Sequence, residues 1–176
     1  MAYGIDDLKS LIAEQNGLAS ANQYRVLLPT LPNTTITPQQ LNILCKSASL
    51  PGRQLMTNER QVGALGEKMA YGYAIEDVSL TFHVTNKFDL KKYFDKWQQL
   101  VFNQDTYELG FKRGPNGYGK TVEIQQYTRK KAGLPNYTVI LEDAFPTTVN
   151  AIELSNELDG LIELNVQLSY TNWRTK

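Results

Sequence analysis

The sequence predicts a mainly β fold: an antiparallel β-sandwich or barrel of six to seven strands, flanked by one main α-helix and a short N-terminal helix. Two observations support this prediction. Several short segments alternate apolar and polar residues, which is the period of a half-buried strand. One segment only, at about 88–102, spaces its apolar residues over a long stretch at helical intervals. The expected architecture is therefore a set of strands packed against a single helix.

The clearest strand and the main helix follow one another in the segment 75–102. From Val78 to Val84, apolar residues alternate with Ser79, Thr81 and His83, which predicts a strand with one buried face. After a turn at Asn86, the apolar residues fall three or four positions apart along one side of a helix: Leu90, Tyr93, Phe94, Trp97, Leu100 and Val101. This helix should be what the sheet packs against.

The first fifty residues predict a helix, a strand, a loop and a second strand. Ile5 to Gln15 forms a short amphipathic helix, too short to be stable alone, that must dock on something. Gln23 to Leu28 alternates as a strand. Three prolines then predict an exposed loop over 30–40, and Leu41 to Ala48 resumes an extended chain.

The segment 53–74 is predicted as a connection followed by half of a hairpin. Arg53 to Gly66 is polar and interrupted by glycines, which predicts a long and loosely specified loop. Lys68 to Ala74 should pair with the strand that follows it. Because long loops in compact domains are usually functional, we expect a contact surface for another chain here.

The C-terminal half predicts a loop and three further strands. The loop covers 103–118, and the strands are Thr121–Tyr127, Tyr137–Glu142 and Ile162–Tyr170, with a second connection at 144–160. The last strand has the most regular alternation in the chain. Its outward positions are uniformly polar: Glu163, Asn165, Gln167 and Ser169.

Length and composition are those of an ordinary soluble protein. The 176 residues suit one domain, with an N-terminal helical arm at 1–20 and a β-sandwich at 21–176. The sequence contains no run of about 18 apolar residues that could span a membrane, and its N-terminus lacks the features of a signal peptide. The protein is therefore expected to stay in the cytosol where it is made.

Charge is balanced overall but divided along the chain. The 18 basic and 18 acidic residues argue against a protein whose main task is to grip nucleic acid. The segment 112–131 nevertheless carries six basic residues against one acid, and 142–163 carries six acids and no basic residue. These segments are either solvated surfaces or complementary surfaces for head-to-tail assembly, which closes into rings or continues as filaments.

One short motif suggests chemistry, but its surroundings do not. Gly114 to Thr121 satisfies the phosphate-loop pattern G-x-x-x-x-G-K-[ST]. Such a loop needs a buried strand before it and a helix that starts at the lysine. Here the residues after Lys120 alternate like a strand, and Pro115 begins a turn. Nucleotide binding by this segment therefore remains only a remote alternative.

No other residue set indicates catalysis or metal binding. His83 lies on the polar side of its strand without a partner at catalytic or metal-ligand spacing. Cys45, the one cysteine, is expected to be a small buried hydrophobe. Trp97 should lie in the core, whereas Trp173 is expected to anchor the last strand or a neighbour. We expect neither enzymatic activity nor a cofactor.

Four segments together resemble a known family. They are CKSASLPG from Cys45, DVSLTFHVTNKFDLKKYFDKWQQLVF from Asp77, GLPNYTVILEDAFPTTV from Gly133, and ELSNELDGLIELNVQLSYTNW from Glu153. In this order they resemble the inner tail tube proteins of contractile-tailed bacteriophages, from about Tyr24 onward. The same superfamily includes the inner tube of type VI secretion.

The resemblance implies a structural role and a set of partners. It implies a subunit that self-assembles into stacked rings, expected to be hexameric. These form a hollow conduit for the genome and the tape-measure protein inside a contractile sheath. Other expected partners are the sheath protein and the baseplate tube initiator, and DNA would pass without sequence-specific binding. Synthesis is expected in the host bacterial cytoplasm and the final location is the virion tail.

The same resemblance assigns candidate surfaces. The channel lining is expected at Glu163, Asn165, Gln167 and Ser169, because a lining that is polar and not basic lets DNA slide. Contacts between subunits or rings are expected at Arg53, Leu55, Met56, Arg60, Lys91, Lys92, Phe145, Glu157 and Asp159. A baseplate tube initiator of the same fold is the alternative to a tube subunit.

Overall fold

The computed structural model describes residues 4–15, 17–62, 65–128, 133–152, 154 and 160–176. These residues contain three helices: α1 (Ile5–Glu14), α2 (Pro38–Leu44) and α3 (Asp89–Val101). The strands are β1 (Tyr24–Leu27), β2 (Cys45–Ala48), β3 (Arg53–Val62), β4 (Leu65–Ile75), β5 (Val78–His83), β6 (Phe102–Asn103), β7 (Glu108–Leu109), β8 (Lys120–Gln126), β9 (Tyr137–Val149), β10 (Glu163–Ser169) and β11 (Asn172–Thr175). No described helix is long and apolar enough to cross a membrane.

Seven strands form one antiparallel sheet, which confirms the predicted fold class. Its order is β1-β8-β9-β10-β5-β2, and β11 also pairs with β9. The long strand β9 changes partners near Asp143, whose φ is 52°. Before this point β9 lies between β8 and β11, and from Phe145 onward it pairs with β10. The inward side chains of both halves share one core, so the sheet folds over on itself.

Helix α3 covers this core, as its spacing predicts. Leu90, Tyr93, Phe94 and Trp97 are all buried. The indole N–H of Trp97 donates to the carbonyl oxygen of Tyr118 at 2.8 Å, and the Tyr93 hydroxyl donates to the carbonyl oxygen of Pro29 at 2.6 Å. These bonds satisfy the polar ends of two buried aromatic side chains.

Two predictions are wrong where helix α2 forms: the extended chain predicted at Leu41–Ala48 is helical up to Leu44, and the exposed loop predicted at 30–40 ends in the first turn of this helix. The Thr37 side chain accepts a hydrogen bond from the N–H of Gln40, and Pro38 occupies the first turn, where its missing N–H costs nothing. Leu31 and Ile36, in the supposed loop, are buried. Only Cys45 to Ala48 is a strand.

Helix α2 also links the two ends of the sheet through side chains. Its Asn42 side chain accepts a hydrogen bond from the N–H of Val26 in β1 at 2.9 Å. The Tyr24 hydroxyl donates to the carbonyl oxygen of Cys45 at 3.1 Å. These side-chain bonds link edge strands β1 and β2, but no backbone pairing joins the two strands, so β2 keeps an edge without a strand partner among the described residues.

The predicted loop at Arg53–Gly66 is instead strand β3, which pairs with β4 from Arg53↔Ile75 to Val62↔Leu65. Strand β4 therefore pairs with the strand that precedes it, and the predicted pairing of Lys68–Ala74 with the following strand is wrong. The predicted connection at 144–160 is also shorter than expected, because β9 continues to Val149. Helix α1 forms as predicted, but none of its described residues is buried.

Candidate assembly interface

Four strand segments present a polar surface on the side away from the core. We call β2, β5, β10 and the Phe145–Val149 part of β9 the polar-faced sheet. The predicted lining residues Glu163, Asn165, Gln167 and Ser169 alternate along β10 with buried Leu164, Val166 and Leu168. Neighbouring strands extend this surface, because the Ser79 hydroxyl donates to Asn165 Oδ1 at 3.2 Å and the Thr147 hydroxyl donates to the Gln167 carbonyl oxygen at 3.2 Å. The sheet thus brings the four predicted residues onto one hydrogen-bonded polar face.

The charges on this face neutralise one another. Lys46 Nζ donates to Glu163 Oε1 at 2.5 Å, and His83 Nδ1 lies 4.0 Å from the same oxygen. The hydrogen bond from Lys46 lowers the pKa of Glu163 from its ordinary value. The Lys46–Glu163 pair therefore adds no net charge to this surface.

The polar-faced sheet has two unpaired edges. Strand β2 pairs with β5 only, and β8 stops pairing with β9 at Ala144, so among the described residues no strand covers the far side of Phe145–Val149. Four antiparallel strands lie between these edges, so the first and fourth strands run in opposite directions. Pro146 suits such a position, since proline in sheets is confined mainly to edges and bulges.

A groove of about 640 Å³ runs beside the edge at Phe145–Val149. One wall is Phe145, Pro146 and Thr147, and the other is the C-terminal part of α3 with the residues after it. Phe145 itself is half-buried, with its ring 5.2 Å from that of Tyr118.

The β3–β4 hairpin exposes several large apolar side chains. Leu55 and Tyr73 are cross-strand partners and lie on one face. Both belong to the exposed apolar set of the hairpin, which is Leu55, Met56, Met69, Tyr71 and Tyr73. At its base, the Arg53 guanidinium lies 5.0 Å from the ring centres of both Tyr73 and Trp173. Arg53 therefore joins the hairpin to β11 within the subunit, which accounts for Trp173 as an anchor.

The remaining candidate contact residues lie on other surfaces. Lys91 and Lys92 occupy the outer side of α3 and pair with Asp95 and Asp89 on the same helix. Arg60 is exposed on the hairpin. Glu157 and Asp159 lie outside the described residues, as do Arg129, Lys130 and Lys131 of the basic segment.

The phosphate-loop pattern folds as a turn that enters a strand. Gly114 has a φ of 113°, and a Cβ at Gly117 would lie 2.7 Å from the carbonyl oxygen of Lys112, so both glycines serve backbone geometry. Strand β8 begins at Lys120, where a phosphate site would need a helix N-terminus. Burial raises the pKa of the Cys45 thiol to about 11, which keeps it protonated and poorly nucleophilic.

Sequence reasoning missed the two free edges and a cluster of exposed apolar residues in the loop after α3. The edges depend on strand order, for which the sequence holds no local signal. The aromatic and aliphatic residues at 107, 109 and 111 do fall at alternate positions, and this spacing is the sequence signal that could have grouped them.

A family model described as "Phage tail tube protein" matches residues 19–176. No curated protein sequence matches the chain. Among solved structures, the chain is similar to a chain in the extended sheath–tube complex of an extracellular contractile injection system, PVC, at a TM-score of 0.62 and 15% identity, covering 99% of both chains. It is also similar to a chain in the anti-feeding prophage baseplate, at a TM-score of 0.64 and 18% identity, covering 90% of this chain and 95% of that one.

A third similar chain comes from the tube-terminating cap of the anti-feeding prophage, with a TM-score of 0.65 and 14% identity, covering 90% of this chain and 91% of that one. At these identities the structural likeness concerns the fold. The family model, in contrast, spans nearly the whole chain. The chain belongs to the phage tail tube protein family and is a structural subunit of a tail tube.

Proposed function

We propose that copies of this subunit join edge to edge into a ring of six, and that rings stack into a hollow tube lined by the polar-faced sheet. The observation that supports this most directly is the pair of free edges. Because the two edge strands run in opposite directions, β2 of one copy meets Phe145–Val149 of the next as an antiparallel pair. Rotation of identical copies then gives a closed barrel without exposed edges.

The chemistry of the polar face suits a conduit. Its side chains are mainly hydroxyls and amides, and its one lysine, Lys46, is neutralised by Glu163. A basic lining would hold DNA by its phosphates and release counterions on binding, which would oppose movement. A neutral hydrogen-bonding lining offers passing DNA or a tape-measure protein no fixed counter-charge.

The proposed partners come from membership of the tail tube family. The chain is proposed to act as one tail-tube-like domain, with 1–20 as an arm and 21–176 as the sandwich, and to carry no catalytic function. A contractile sheath surrounds the outer surface, and a tube initiator on the baseplate nucleates the first ring. The protein is made in the host cytoplasm before it enters the virion tail. Similar chains occur in sheath–tube, baseplate and cap structures, which supports these partners.

Disulfide trapping tests the ring interface. In a Cys45→Ser background, Ser47→Cys in β2 is combined with Thr147→Cys or Thr148→Cys in β9. Strands in a sheet lie about 4.8 Å apart, which is within the Cα separation that disulfides tolerate. Oxidation should give a covalent ladder that ends at the hexamer, and each single variant should give none.

Electron microscopy of the purified protein, with and without baseplate, provides the independent check. Rings or tubes are expected. A strictly monomeric particle under both conditions would overturn ring assembly. Rings that form while every cysteine pair stays uncross-linked would instead remove β2 and β9 from the interface.

A tube initiator is the second candidate, supported by the likeness to a chain in the anti-feeding prophage baseplate. An initiator makes one ring and stops, whereas a tube subunit continues to add rings. The length distribution of assemblies grown from a limiting number of baseplates separates the two: lengths that rise with subunit concentration indicate a tube subunit.

A further inference from the structure

Three large apolar side chains in the loop between α3 and β8 are highly exposed, although the Tyr107 ring meets that of Phe102 edge-on at 6.2 Å. Tyr107, Leu109 and Phe111 are 80%, 75% and 86% exposed, and we call them the apolar platform. They alternate along the chain around the short strand β7. Neighbouring exposed apolar side chains of this size mark interaction surfaces more often than isolated ones do.

The loop that carries the platform is held in place by its backbone. The Gly110 N–H donates to the carbonyl oxygen of Val101 at 2.9 Å, and a Cβ at Gly110 would lie 2.1 Å from the Leu100 carbonyl oxygen. The Phe111 carbonyl oxygen accepts from the N–H of Tyr118 at 3.0 Å. The exposure therefore belongs to a preorganised surface, which loses little conformational entropy when a partner covers it.

The platform lies near one end of the polar-faced sheet. Tyr118, whose N–H donates to the Phe111 carbonyl oxygen, packs its ring edge-on against that of Phe145. Phe145 in turn is the strand partner of Ser169 at the end of β10. The β3–β4 hairpin leaves from the same end, because β4 finishes just before Val78, the first residue of β5. The platform and the exposed apolar residues of the hairpin thus share this end of the subunit.

The opposite end of the polar-faced sheet exposes a second apolar set. Leu161 and Ile43 are 82% and 79% exposed. Leu161 precedes Ile162, whose carbonyl oxygen accepts from the N–H of Val84 at the end of β5 at 3.0 Å. Ile43 lies two residues before β2. In a ring closed through lateral strand edges, these two ends face the neighbouring rings.

We propose that the apolar platform is an inter-ring contact, which docks on the Leu161 and Ile43 end of a subunit in the next ring. This inference rests on the proposed ring assembly. A head-to-tail stack needs two different, complementary surfaces at opposite ends of one molecule, and the exposed apolar sets have this arrangement. The platform is continuous with the end from which the hairpin projects, so both contribute to one interface.

Lys112 and Arg113, which follow the platform, are already engaged within the subunit: Arg113 Nη2 lies 2.8 Å from Asp143 Oδ2, and Lys112 Nζ donates to the Thr171 hydroxyl oxygen at 2.9 Å. The inter-ring contact therefore depends on the exposed apolar side chains at the two ends of the subunit and not on these charges.

The test compares single rings with stacked tubes. Leu109→Ser combined with Phe111→Ser should leave rings intact and shorten tubes, since removing two apolar contacts per subunit weakens stacking by about tenfold or more. Leu161→Ser should have the same effect from the other side. Leu18→Ser, which removes a leucine exposed to a similar degree on the N-terminal arm, should leave tube length unchanged. Electron microscopy gives the lengths, and circular dichroism confirms that each variant folds.

A cross-link identifies the partner. In a Cys45→Ser background, Phe111→Cys with Leu161→Cys should form a disulfide between copies in stacked rings, and neither single variant should. Tubes of unchanged length without this disulfide would overturn the inference. The inference would also be overturned if the Leu109→Ser, Phe111→Ser variant formed tubes of normal length that failed to bind the sheath protein. That result would assign the platform to the sheath contact. Absence of rings from the unmodified protein would instead overturn the ring proposal on which this contact rests.

Discussion

Replacement of Trp97 tests whether α3 holds the two halves of the sheet together. Its side chain is fully buried, stacks on Phe94 with ring centres 6.4 Å apart, and meets Tyr93 edge-on at 6.0 Å. Truncation of a buried tryptophan to alanine costs about 3–5 kcal/mol. Loss of the N–H that serves the Tyr118 carbonyl oxygen adds about 1–3 kcal/mol if no water replaces it. The sum approaches the whole stability of a typical domain, about 5–15 kcal/mol.

We therefore expect Trp97→Ala to unfold much of the monomer. Trp97→Phe keeps an aromatic ring but not the hydrogen bond, and should cost about 1–3 kcal/mol. Urea denaturation followed by circular dichroism measures the free energy of unfolding for each variant. Trp173→Ala is the matched control, because Trp173 is only half-buried, and it should cost about 1–2 kcal/mol. A loss below about 2 kcal/mol for Trp97→Ala, or equal losses for both tryptophans, would refute this account of α3.

Three further predictions concern local interactions. Thr37→Ala removes the N-cap of α2 and should lower the free energy of unfolding by about 1 kcal/mol in urea titrations, whereas Thr37→Ser should be nearly neutral. The hydrogen bond from Lys46 holds the folded-state pKa of Glu163 below its unfolded value, which is about 4.3. The stabilisation from this pair is therefore present above the unfolded pKa and is lost as pH falls through the lower folded-state pKa. The melting temperature of Glu163→Gln should therefore approach that of the unmodified protein below about pH 4, and a gap that stays constant with pH would contradict the pairing. Charge reversal at Lys91 and Lys92 should change stability by less than about 1 kcal/mol, since both ion pairs lie at the surface and are only partly buried. It should weaken ring formation measured by sedimentation, and unchanged rings would exclude this face of α3 from the interface.

The parts of the fold that sequence patterns predicted well are those whose burial is decided by near neighbours. Alternation over Val78–Val84 and Ile162–Tyr170 placed β5 and β10 and identified their inner and outer faces. Helical spacing placed α3 and its buried stripe. In each case the core lies on one side only, so the period of the apolar residues records the geometry directly.

The patterns failed where burial did not follow a local period. The β3–β4 hairpin exposes side chains on both faces, so Arg53–Gly66 has no apolar alternation and was predicted as a loop. Pro38 was interpreted as a breaker, although after Thr37 it begins helix α2. Tyr107, Leu109 and Phe111 fall in the segment predicted as a loop, but the sequence does not show which apolar side chains of a loop pack inward, and the structure leaves all three exposed.

The sequence by itself determined the mainly β fold, the helix that covers the core, the polar outer face of β10 and the resemblance to tail tube proteins. All of these depend on residue spacing along one segment or on the order of segments. Only the tertiary structure decided that β3 pairs with β4, that α2 links the end strands β1 and β2 through side chains, and which strand edges have no strand partner. The physical reason is that strand edges are completed by hydrogen bonds between backbone groups, which every residue except proline can donate and accept, so the sequence specifies the partner strand only through the packing of the whole core.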